Sequence, residues 1–170
     1  MTRGLLALAL TTVILVALQL AAISPLRVGG VVVMVIWLWP LSLSLTGDTR
    51  VAAVTGFLAG VLFDAHSLAP FALSGVVGVV VALAAGPLGR EGVGDLDGAA
   101  WWVTPALGAA TGFMSPLVYV VAGALTGHPD LWRGNLGVMM VVNAVACAVL
   151  ARPFTRLAQY LANSGGWSRA

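Results

Sequence analysis

Apolar residues run along this chain in long, nearly uninterrupted stretches, and the stretches are divided where charges, Gly and Pro cluster. The division predicts six spans, at about 4–23, 29–46, 51–65, 71–88, 100–126 and 135–151. A stretch of about twenty apolar residues, rising 1.5 Å per residue as a helix, crosses the hydrocarbon of a bilayer. The third span is short and the fifth long. Pro40, Pro105 and Pro116 are expected to kink or interrupt the second and fifth helices, because proline lacks the amide proton and crowds the preceding turn. Pro70 is expected to start the fourth, where its missing donor is unpaired anyway. After Pro153, Phe154, Leu157, Tyr160 and Leu161 share one face at helical spacing, which predicts a short interfacial helix. It either rests on anionic lipid or docks a cytoplasmic partner. The expected architecture is therefore all-α: a polytopic membrane helix bundle of six transmembrane helices, with five as the other count. Residues 1–153 would form the bundle and 154–170 a short cytoplasmic amphipathic tail.

Composition strengthens this reading. Of 170 residues 60% are hydrophobic and 8% charged, with a mean hydropathy of +1.02, whereas soluble domains are about one-quarter charged. Such a chain cannot cover a water-facing surface, and six spans leave no room for a soluble domain. The first stretch ends in Ala21-Ala22-Ile23-Ser24-Pro25, which resembles a cleavage site. It is read as a retained span, being long enough to cross and followed by further spans.

The arginines set the expected orientation. With a cytoplasmic N-terminus, Arg3, Arg50, Arg90, Arg152, Arg156 and Arg169 lie inside and Arg27 and Arg133 outside, as the positive-inside rule requires. A five-span chain would carry the last three outside. Trp39, Trp101, Trp102, Trp132 and Trp167 fall towards span ends or in loops, where an amphipathic ring suits the headgroups, and Trp37 is placed deeper. Arginines spread in this way form no basic patch, which argues against nucleic-acid binding.

Candidate chemistry inside the spans is sparse. Asp64 is the one intramembrane ionisable group, and Gly56, Gly60 and Asp64 share a helix face at four-residue spacing. Two glycines four apart admit another helix backbone, so this face, with Phe57, is a candidate for a partner interface or for internal packing. Asp64 either belongs to such an interface, organises the following turn or pairs with His66. The same small-residue spacing recurs at Gly108 and Gly112 and at Gly123 and Gly127. Gln19 and Asn143 are expected to bridge helices by hydrogen bonds. His66 lies near Asp64 and His128 near Asp130, but no nucleophile motif, phosphate loop or metal cluster accompanies either pair, so no catalysis, cofactor or metal is expected. Cys147, the only cysteine, lies in an apolar run and leaves no intrachain disulfide.

Arg50-Val51, then Thr55-Gly56-Phe57-Leu58-Ala59-Gly60 and Asp64, followed by a short loop and another Gly-rich span, resembles the rod shape-determining protein MreD family. Gln19, Pro25 to Arg27, Trp37 and Asn143 with its following basic stretch extend the resemblance over nearly the whole chain. Two features depart from it: Ala65-His66-Ser67-Leu68-Ala69-Pro70 has no glycine, and the loop around Glu91, Asp95 and Asp97 is acidic. The resemblance implies a non-catalytic subunit of the bacterial plasma membrane. It would bind an MreC-like membrane protein and, within the larger elongation complex, RodA, a penicillin-binding transpeptidase and MreB, in control of cell shape and lateral wall synthesis. The family's fold looks similar to the substrate-binding subunits of energy-coupling-factor vitamin transporters. That is the alternative reading, in which Asp64, His66, Trp101 and His128 would contribute to an outward pocket.

Overall fold

The structure, a computed structural model, describes residues 2–66, 70, 72–90, 100–128 and 135–165. Six α-helices form within these residues: α1 (Thr2–Leu18), α2 (Leu38–Thr46), α3 (Thr49–His66), α4 (Leu73–Arg90), α5 (Val103–Leu125) and α6 (Leu136–Gly165). The last turn of α1 widens into a π-turn over Gln19–Ile23. It leads into two short antiparallel strands, β1 (Arg27–Val28) and β2 (Val31–Val32). The chain is a helical membrane protein: Gly4–Ile23, Val103–Leu125 and Leu136–Ser164 are each long and apolar enough to cross a bilayer. α3 carries Arg50 and Asp64, α4 has a shorter apolar core at Leu73–Gly89, and α2 has only nine residues.

α2 is the axis of the bundle. It packs against α3, α4, α5 and α6, and every residue from Leu38 to Leu45 is buried. A helix that is apolar all round belongs in such a position. Its few polar groups have partners: the Ser44 hydroxyl donates to the Ala82 carbonyl at 2.6 Å, and the Trp39 indole N–H donates to Thr12 Oγ1 at 3.0 Å. Around this axis α3 and α4 form one antiparallel hairpin and α5 and α6 another. Leu8, Ala52, Ala82, Ala158 and Leu161 cluster with Trp39 and Leu43 at the end where α1 begins. Val16, Phe63, Leu73 and Tyr119 cluster with Trp37 at the far end.

Four expectations need correction. The span at 29–46 is helical only from Leu38. Gly29 and Gly30, at φ +60° and +82°, close a two-residue hairpin, and residues 33–35 are non-helical. Pro40 and Pro105 fall in the first turns of α2 and α5, where a missing donor is tolerated, and α5 runs unbroken through Pro116. Pro70 precedes α4 instead of starting it; its carbonyl accepts the Leu73 N–H at 3.3 Å. α6 continues through Pro153 to Gly165, and Thr155, Ala158, Leu161 and Ala162 on that extension are buried in the bundle. Phe154 sets its ring edge-on to Trp39, centroids 6.5 Å apart, so the segment is part of the helix wall.

The tryptophans divide differently from expectation as well. Trp39 is fully buried, as Trp37 is, whereas Trp101 and Trp102 are exposed. Trp132, Trp167, Asp130 and the acidic loop at Glu91, Asp95 and Asp97 lie outside the described residues.

Candidate functional site

The polar side chains in the apolar spans converge on the chain's own backbone. Residues 33–35 enter the bundle without helical hydrogen bonds, and non-helical backbone at that depth must be satisfied by protein. Two amides supply the partners. Gln19 Oε1 accepts the Val35 N–H at 3.0 Å while its Nε2 donates to the Val33 carbonyl at 2.8 Å and to Ser24 Oγ at 3.2 Å. From the opposite side Asn143 Oδ1 accepts the Met34 N–H at 2.6 Å, and its Nδ2 donates to the Val32 carbonyl at 3.3 Å and to Met139 O at 2.8 Å. The π-turn that begins at Gln19 puts it beside this segment. Both amides are essentially fully buried. They join the end of α1 to α6 through the backbone that runs between them. The Gly29-Gly30 pair flanked by valines is the hairpin signal in the sequence that marks this break.

The small-residue faces hold the two hairpins together. A Cβ on Gly60 would collide with the backbone of Ser74 and Gly75; one on Gly56 would lie 2.7 Å from the Pro40 side chain and 3.1 Å from the Gly78 carbonyl. Gly56 and Gly60 therefore face α4 of the same chain, and the groove they would offer a partner is already filled. Gly108 and Gly112 do the same between α5 and α6, against Cys147, Ala151 and the Asn143 backbone. A Cβ on Gly127 would meet no neighbour within 4 Å among the described residues. Gly127, at φ +86°, ends α5 in a Schellman turn, with the His128 N–H on the Gly123 carbonyl at 2.8 Å. Phe57, next to this face, is 40% exposed.

Asp64, at the far end of α3, is buried, and its Oδ2 accepts the Ser74 N–H at 2.8 Å. Ser74 is in the first turn of α4, whose donors have no intrahelical acceptor. The residue before that helix is Ala72, at φ +67°, which has no side-chain acceptor, so the cap comes from α3. A carboxylate also complements the positive end of the α4 dipole. Asp64 thus ties the end of α3 to the start of α4, beyond the glycine seam. His66 is exposed, and its Nδ1 lies 3.0 Å from the Leu62 carbonyl. His128 borders a small surface cavity of about 210 Å³ with Pro70 and Thr126.

Among the described residues, two lateral grooves lie on the outside of the bundle. One, of about 560 Å³, runs between α1 and α3, walled mostly by Leu and Val side chains with Arg50 at one end. The other, of about 220 Å³, lies between α4 and α5, where the small residues Ala84, Ala110, Thr111 and Ser115 are set among larger apolar ones such as Leu88, Leu107 and Met114. The buried Ser115 hydroxyl has no hydrogen-bond partner among the described residues. No motif in the sequence points to either groove.

No family model, no curated protein and no solved structure matches the chain.

Proposed function

We propose that this chain is a non-catalytic, multi-pass subunit of the bacterial plasma membrane, similar in role to MreD proteins. It would hold an MreC-like partner within the elongation complex that also contains RodA, a penicillin-binding transpeptidase and MreB. The observation that carries this reading is the use of the polar residues. Gln19, Asn143 and Asp64 bind the chain's own backbone, and what faces outward is apolar helix surface, including Leu6, Leu83 and Val149. A protein of that build acts by contact within the membrane. Six crossings with both termini in the cytoplasm accord with the antiparallel hairpins and with Arg50 and Arg152 lying at the end where α1 begins.

The partner's transmembrane helix would lie in the cleft between α4 and α5 rather than against Gly56 and Gly60. Alanines there let a second backbone approach, and the Ser115 hydroxyl is a donor for a polar group on the incoming helix. The test is affinity purification from the native membrane in mild detergent, with mass spectrometry of accompanying proteins. An MreC-like protein that is recovered with the wild type and lost with Ala110→Trp supports the reading. An ATPase pair with its coupling subunit would replace it with a vitamin transporter, and retention of the partner by Ala110→Trp would remove the cleft.

A further inference from the structure

α1 is attached to the bundle along a narrow stripe. Leu8, Thr12, Val16 and Gln19 are buried, while Leu5, Leu6, Leu10, Val13 and Ile14 are half or more exposed. Attachment on one stripe leaves a gap on the α3 side, the groove of about 560 Å³. From α3 it is walled by Val54, 61% exposed, Leu58, 53% exposed, and Leu62. Arg50 closes one end.

We propose that this groove holds one acyl chain of an anionic phospholipid, with the lipid phosphate on the Arg50 guanidinium. Three features select that occupant. The wall is mostly branched aliphatic side chains, Leu and Val from both helices with Ala9, Thr12 and Thr55 between them, and such a surface fits a flexible hydrocarbon. From Arg50 to Leu62 α3 rises about 18 Å, close to the ~15 Å depth of one leaflet's hydrocarbon. Among the described residues, the only charged side chain lining the groove is Arg50, at the second residue of α3, and its guanidinium has no ion-pair partner there. The neighbouring carboxylate, Asp48, accepts the Arg50 backbone N–H at 2.6 Å and so caps α3. Arginine at headgroup depth offers a forked donor that matches phosphate. The proposal needs only that the chain resides in a membrane, so it stands or falls separately from the shape-subunit reading.

The experiment is native mass spectrometry of the full chain released from bilayer discs of equal phosphatidylglycerol and phosphatidylcholine. The wild type is expected to retain one phosphatidylglycerol in preference to phosphatidylcholine by about fivefold, the factor that corresponds to one arginine at an anionic surface. Arg50→Gln should bring the ratio to about one. Val54→Trp, on an exposed position, should fill the groove and remove the retained lipid while the protein stays monodisperse. No headgroup preference in the wild type, or an unchanged preference in Arg50→Gln, would overturn the proposal. So would a photo-crosslinker at Leu58 that captures a protein instead of lipid in the native membrane, since a partner helix would then own the groove.

Discussion

Replacing Asn143 with leucine, a side chain of similar shape without the amide, removes one jaw of the clamp on residues 33–35. The Met34 N–H and the Val32 carbonyl lose their partner, whereas Met139 O keeps its place in the α6 backbone ladder. Each buried polar group left unpaired costs about 1–3 kcal/mol. Met34 is buried and Val32 only partly so, which puts the sum at about 2–4 kcal/mol. Cys147 reports on it directly. Its Sγ lies 3.9 Å from the Met34 carbonyl and is inaccessible in the closed structure. Opening of the segment exposes the only thiol in the chain to a maleimide. When closing is fast relative to labelling, the rate follows the open population, so 2–4 kcal/mol corresponds to roughly thirtyfold to a thousandfold faster modification. The midpoint of thermal unfolding in mild detergent should fall in parallel. Gln19→Leu should do the same through Val33 and Val35, and the double variant should cost less than the sum, since both amides hold one segment. Interhelical side-chain hydrogen bonds in a membrane protein average about 0.6 kcal/mol. A loss no larger than that, with unchanged Cys147 labelling, would refute the clamp.

Other substitutions test the joints one at a time. Gly60→Val drives a side chain into the Ser74 and Gly75 backbone and should cost about 3 kcal/mol or more; Phe57→Leu, one turn away and partly exposed, should stay within about 1 kcal/mol. Monodispersity in size-exclusion chromatography separates the two, and a well-folded Gly60→Val would show that the α3–α4 seam is not tight. Asp64→Ala should lose about 0.5–2 kcal/mol with the α4 cap, and Asp64→Asn, which keeps an acceptor, less; equal unfolding midpoints for all three proteins would contradict the capping role. Ending the chain after Pro153 removes Phe154, Ala158 and Leu161 from the bundle. It should lower stability by at least about 2 kcal/mol, whereas an independent surface helix would leave the midpoint in place.

Long apolar runs and the charges between them state that this chain lives in a bilayer and roughly where its helices lie, because hydropathy reports on the surrounding solvent. The starts of α3, α5 and α6 are read within about three residues for that reason. The same signal is blind to which partner satisfies the backbone. Residues 29–46 score alike as a helix or as a hairpin, an extended entry and a short helix; only the arrival of Gln19 from α1 and Asn143 from α6 makes the second possible without orphaned amides. Glycines four apart announce a close approach without naming the helix that makes it, and for Gly56 and Gly60 it is α4 of the same chain. Pro153 signals a helix end by local rules, yet packing of Phe154 and Ala158 against the bundle carries α6 past it. Local sequence thus determined the medium and the elements, whereas the pairing of elements, and with it the lateral grooves beside α1 and α4, was decided by contacts between residues up to more than a hundred positions apart.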